Sequence, residues 1–119
     1  MGERNSIRRV QFPEAGEGVE LYLRNSGTRA LFAKYGEDYF STIEKGLLFA
    51  NFDVIETCLG LMAIKDDEKV KIDIDDLDGI PLQVLQDKLM DAFSLSANGR
   101  TYKDQVEWIK AESLKAAGV

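Results

Sequence analysis

The sequence predicts an α+β fold, a mainly helical single domain over residues 1–119 that opens with an N-terminal β-hairpin. Three observations carry this expectation. Apolar and polar residues alternate between 19 and 24, apolar stripes at helical spacing recur from 25 to 95, and Gly, Pro and capping residues punctuate the chain between them. With 119 residues and 45% hydrophobic content, the chain has the size of one common domain and enough apolar side chains for a core.

The hairpin spans 7–24. Val19, Leu21 and Leu23 alternate with Glu20, Tyr22 and Arg24, which makes one strand face apolar. Residues 7–12, with Ile7, Val10 and Phe12, supply the partner strand across a Pro-Glu-Ala-Gly-Glu-Gly turn. A lone hairpin is marginal in water, so it must pack on helices. The helical core is expected over 25–95. Asn25 and Ser26 are suited to cap a first helix that carries Leu31 and Phe32 and stops at Gly36. Tyr39, Phe40, Ile43 and Leu47 define a second, with Gly46 as its weak point. Asn51 or Asp53 caps a third over 52–65, whose Val54, Ile55, Cys58, Leu59 and Met62 form the stripe expected at the centre of the core.

Beyond Lys65 the chain turns charged. Val70, Ile72 and Ile74 alternate with Lys71, Asp73 and Asp75, the pattern of a short strand or an extended linker. Pro81 suits the first turn of a fourth helix with Leu82, Leu85, Leu89 and Phe93 on one face. After the polar break Ser-Ala-Asn-Gly-Arg-Thr, Thr101 and Asp104 resemble a capping box. They open a last helix over 101–117, expected to be partly independent of the core.

Composition narrows the function. A formal net charge of −6 disfavours nucleic acid, whose phosphates need clustered Lys and Arg. No apolar run approaches the roughly 20 residues of a membrane span. The charged start is not expected to be a secretory signal, and Gly2 with Ser6 meets the loose acylation pattern only nominally. The chain has no His and one Cys, so the usual proton shuttle, an internal disulfide and a multi-Cys zinc site are all excluded. A cytoplasmic protein is expected.

The acidic run from 73 to 78 invites a calcium reading. With Gly79 at loop position 6, Asp76 and Asp78 fall at positions 3 and 5, but Ile74 and Leu85 occupy positions 1 and 12, where oxygen ligands are required. Asp75, Asp76 and Asp78 are better read as carboxylates that precede a helix and favour the positive end of its dipole. Cys58 sits on an apolar stripe with no His to activate it, and the glycines of Ala-Gly-Glu-Gly-Val-Glu lack the Lys-Ser/Thr ending of a phosphate loop. No cofactor, metal or enzymatic chemistry is expected. The last helix carries the candidate partner-binding residues: Tyr102, Val106 and Ile109 share a face, with Trp108 about 100° from Ile109. Packed back on the core, Trp108 is an edge residue; projecting, it is an aromatic anchor for a partner.

The stretches Val-Glu-Leu-Tyr-Leu-Arg-Asn-Ser-Gly-Thr-Arg-Ala-Leu-Phe-Ala-Lys-Tyr-Gly, Phe-Asp-Val-Ile-Glu-Thr-Cys-Leu-Gly-Leu-Met-Ala-Ile and Ile-Pro-Leu-Gln-Val-Leu-Gln-Asp-Lys-Leu-Met-Asp-Ala-Phe resemble phage tail assembly chaperones of the type shared with gene transfer agents. The likeness covers about residues 7–100 and is one of element pattern. Phe32-Ala33-Lys34 stands where family members often carry Leu-Glu, and the acidic insert 66–78 has no counterpart. The resemblance implies a non-enzymatic protein that binds and solubilises the tape measure protein, with the tail tube protein and a second copy of the chain as further candidate partners. The alternatives are a small acidic adaptor or regulatory module and a structural tail or connector component of the virion.

Overall fold

The structure is a computed structural model that describes residues 8–118. The expected start of the hairpin at Ile7, and Gly2 with Ser6, lie outside the described residues. The first two strands, β1 (Arg9–Gln11) and β2 (Val19–Tyr22), pair antiparallel as a hairpin in which Val10 faces Leu21. The turn is a 3₁₀ turn, Pro13–Ala15, followed by Gly16 and Gly18 at positive φ.

Five helices follow: α1 (Asn25–Tyr35), α2 (Tyr39–Leu48), α3 (Phe52–Met62), α4 (Leu82–Asn98) and α5 (Tyr102–Ala116). Two short strands between α3 and α4, β3 (Ala63–Lys65) and β4 (Glu68–Lys69), extend the hairpin to a four-stranded antiparallel sheet in the order β1-β2-β3-β4. The helix expected over 52–65 therefore ends three residues early. Ala63 leaves helical geometry at φ −69°, ψ 123°, and β3 pairs residue by residue with β2. One edge of β2 is taken by β1; the other needs donors and acceptors that residues 63–65 supply only when extended. Asp66 and Asp67 close the β3–β4 hairpin, both at positive φ, as a tight two-residue turn requires. Beyond Lys69 no ladder continues, although Val70 donates its N–H to Ala63 and packs with Ile72 and Ile74 against the core.

Other boundaries differ in their caps. Arg24, not Asn25 or Ser26, is the N-cap of α1, with no side-chain hydrogen bond; the Asn25 Oδ1 accepts from Arg8 instead. The acidic run does not cap α4: Asp73 caps a 3₁₀ turn at Ile74–Leu77, and Pro81 is the N-cap of α4. Asn51 caps α3 as expected, accepting from the N–H groups of Asp53 and Val54. Gly36 ends α1 at φ 80° and Gly99 ends α4 in the left-handed region.

The core joins the inner face of the sheet to α1–α4. Phe12, Leu21, Leu31, Ile43, Ile55, Cys58, Met62 and Leu89 have no exposed surface. Gly46 is a contact, not a weak point: a Cβ there would lie 2.5–2.8 Å from three atoms of Val54, so its absence lets α2 and α3 touch. The outer face of the sheet is mainly polar, with Ile64, opposite Glu20, its buried apolar residue. The Arg9 guanidinium lies 4.5 Å from the Tyr22 ring and pairs with Glu20 and Asp67 at 3.3 and 2.8 Å.

Candidate binding surface

The first turn of α5 is tied to the middle of α4. The Tyr102 N–H donates to Asp91 Oδ1 at 3.1 Å, and Thr101 Oγ1 accepts from the Asp104 N–H at 3.3 Å, so two free donors of the first turn of α5 are satisfied. No residue of α5, that turn included, is completely buried. It lies on α4 by one stripe, and the 102/106/109 spacing decides which side chains meet the neighbours.

Tyr102, Val106 and Ile109 converge, with Phe40 from α2 and Met90 and Phe93 from α4, on a cavity of about 90 Å³. The Phe40 and Phe93 rings are 5.0 Å apart between centroids. This volume has room for one apolar side chain and is far below the roughly 300 Å³ at which small-molecule sites begin. A larger hollow of about 320 Å³ adjoins it, sharing Met90 and Tyr102 and adding Leu48, Gln83, Gln86, Asp87, Asp91 and Lys103. Trp108 is not part of this surface. It stacks under the Arg100 guanidinium at 4.4 Å and is 44% exposed, whereas Ile109, at 49%, lines the cavity wall.

The surface is acidic. Burial pushes the Asp91 carboxyl up, and Asp87 and Asp104 push it further, against the pull of the Tyr102 N–H and of Lys88. Burial likewise pushes the Tyr102 phenol up, with Glu44 adding to it. Four carboxylates, from α2, α4 and α5, thus act on this one region.

A second apolar surface, missed in the sequence, lies at the α2–α3 corner. Phe49 is 79% exposed and Phe52 53%, with Leu48 beside them. Phe52 and Leu82 line a cleft of about 410 Å³ together with Ile74, Ile80 and Pro81. The signal was there in Leu47-Leu48-Phe49-Ala50-Asn51-Phe52, which holds more apolar side chains than one helix face can bury. The corner is held by a hydrogen bond from the Asn51 N–H to the Gly46 carbonyl at 2.8 Å, with Ala50 left-handed at φ 58°. That is a Schellman ending with Ala where Gly is usual.

The remaining polar cluster joins α1 to α3. Lys34 Nζ donates to Asp53 Oδ1 and Thr57 Oγ1 at 3.1 and 2.8 Å, and the Tyr35 hydroxyl donates to Asp53 Oδ2 at 2.7 Å. The hydrogen bond to Asp53 holds Lys34 protonated, those from Tyr35 and Lys34 hold Asp53 ionised, and burial raises the Tyr35 phenol. Each shift stabilises the resting charge and works against a nucleophile or base, so the cluster reads as a clip between helices. Burial also pushes the Cys58 thiol up to about 12, away from a reactive thiolate. A trough of about 420 Å³ between α3 and residues 69–74 has its charged lining groups, Glu56, Lys69, Lys71 and Asp73, all exposed. Among the described residues no group of His, Cys, Asp or Glu is placed to hold a metal ion, and no helix is long and apolar enough to cross a membrane.

Comparison with protein-family models, with curated proteins and with solved structures finds no match.

Proposed function

We propose that this chain is a tail assembly chaperone of the long-tailed phage and gene-transfer-agent type, which binds and solubilises the tape measure protein in the host cytoplasm while the tail is built. One observation carries the reading. Exposed apolar side chains are gathered on the α2–α4–α5 hollows and the α2–α3 corner, on a chain whose net charge of −6 keeps it in solution. A holder of long, aggregation-prone helices needs that combination. Its apolar surface must outcompete self-association of the client, and its charge must keep the complex dispersed. The role needs no catalytic group, cofactor, nucleic acid or membrane, and the choice of the tape measure protein as client rests on the resemblance of residues 7–100 to tail assembly chaperones.

The test is co-expression with the tape measure protein of the same genetic element, followed by a solubility assay and a pull-down. The expected result is a soluble tape measure protein that co-purifies with the chain, and finished particles free of it. An aggregated tape measure protein with nothing co-purifying would overturn the proposal. Presence of the chain in purified particles would move the reading to a structural tail or connector component.

A further inference from the structure

We infer that the trough formed by α2, α4 and α5 takes a single amphipathic helix whose apolar stripe is bordered by lysine or arginine; this deepens the chaperone reading and rests on it for the source of that helix. The lining residues are distributed as a helix-binding trough requires. From α4 come two parallel rows, Gln83, Asp87, Met90 and Ser94 at intervals of three or four with Gln86 and Asp91 beside them, so one face of α4 forms the floor. Between Gln83 and Asn98 that face extends about 22 Å, the length of roughly four helical turns. Two adjoining hollows lie along this floor: Leu47 and Leu48 of α2 and Tyr102 and Lys103 of α5 border the larger, Phe40 and Glu44 of α2 and Val106 and Ile109 of α5 the smaller. Three helices with a hollow between them leave the position of a fourth helix in a bundle open.

Charge selects among amphipathic helices. Glu44, Asp87, Asp91 and Asp104 bear on the trough, against Lys103 within it and Lys88 beside it, which already pairs with Glu14 at 3.1 Å. A helix edged with Glu would add like charge to this excess, whereas one edged with Lys or Arg would relieve it. The cavity bounded by Phe40, Phe93, Val106 and Ile109 is sized for one apolar side chain of the incoming stripe.

The experiment uses the full chain and two fluorescent synthetic helices with the same Leu stripe, one edged with Lys and one with Glu. Binding is followed by anisotropy at low and high salt. The Lys-edged peptide is expected to bind and to weaken at least about tenfold as salt screens the contact, and the Glu-edged peptide is expected not to bind. The double variant Glu44→Lys/Asp87→Lys should weaken the Lys-edged peptide at least about tenfold. The Asp75→Lys/Asp76→Lys variant makes the same net charge change away from the trough and should leave binding within about twofold, as should Trp108→Ala. Ile109→Asp, at an exposed position of the wall, is a second disruption, and a thermal melt verifies that each variant folds. Equal effects of the two charge reversals, or equal binding of both peptides, overturn the inference. So does a dimer of the chain that Ile109→Asp dissolves, since a second copy would then own the trough. The same variants in the tape measure solubility assay separate the two proposals. If the parent and the trough variants all hold the client soluble, the trough is wrong and the chaperone stands. If the Lys-edged peptide behaves as expected while the parent fails to hold the client, the trough stands and the chaperone falls.

Discussion

Replacing Gly46 by Ala tests whether α2 and α3 approach as closely as the packing requires. An added Cβ would meet Val54 Cγ2, Cβ and Cγ1 at 2.5, 2.6 and 2.8 Å, about 1 Å inside ordinary contact. Rotating Val54 about χ1 moves its two methyls but leaves its Cβ at 2.6 Å, so relief must come from backbone movement between two core helices. Overpacking of this kind costs about 1–3 kcal/mol, and the absence of a rotamer escape argues for the upper end. Against that stands the helix propensity gained on going from Gly to Ala, about 1 kcal/mol. The net expectation is a loss of about 2 kcal/mol, equivalent to a fall in Tm of about 8 °C for a domain of this size. Gly60→Ala is the internal control. It adds the same methyl within α3, where nothing lies within 4 Å, and should stabilise by about 0.5–1 kcal/mol. Urea and thermal unfolding followed by circular dichroism measure both, and the difference between the variants isolates the steric cost. A Gly46→Ala protein that melts at or above the parent would refute the close approach and with it the packing of the α2–α3 corner.

Two further outcomes follow from the backbone and the core. Ala50→Gly should stabilise the chain by about 0.5–1 kcal/mol in the same unfolding assay, because Ala50 sits at φ 58° in the left-handed region that Gly enters without cost; a loss of stability would mean that its methyl matters more to the core than its backbone strain. Cys58 should resist iodoacetamide at about pH 8 in the folded chain and react when unfolded in urea, because only the unfolded thiol ionises near its ordinary 9.0. A folded pKa raised to about 12 contributes stability that is complete below pH 9 and lost as pH rises from 9 to about 12. Cys58→Ala should therefore flatten the alkaline decline by up to about 1.4 kcal/mol per pH unit, and equal alkylation of folded and unfolded chains would refute the burial.

The parts of the fold that were legible are those written in local periodicity. The alternation at 19–24 and the stripe Val54, Ile55, Cys58, Leu59, Met62 each state their face within a few residues, and β2 and α3 bury those faces. The third strand was hidden because three residues cannot display a period of two, and Ala63-Ile64-Lys65 continues the apolar run of the preceding helix without a break. What makes it a strand is the open edge of β2, more than forty positions earlier in the chain. Gly46 was misread for a related reason. In its own helix a glycine is only a missing side chain, and its value is set by Val54, which belongs to the next helix.

The same division runs through the binding surface. The spacing of Tyr102, Val106 and Ile109 placed them on one face and Trp108 about 100° away, and that offset is why Trp108 meets Arg100 while the other three meet α2 and α4. Spacing on α5 could not say what stands opposite. Phe40 was legible only as part of the apolar face of α2, and the periodicity of α4 singled out Leu82, Leu85, Leu89 and Phe93 while carrying no signal for Asp87 or Asp91. Only the return of the chain after Gly99, which sets the start of α5 beside Asp91, brings carboxylates from three helices to bear on Asp91 and Tyr102 beside an apolar hollow. Each residue alone has an unremarkable structural role. Together they leave apolar surface uncovered and like charges close, two unfavourable terms that a basic amphipathic helix would relieve in a single step.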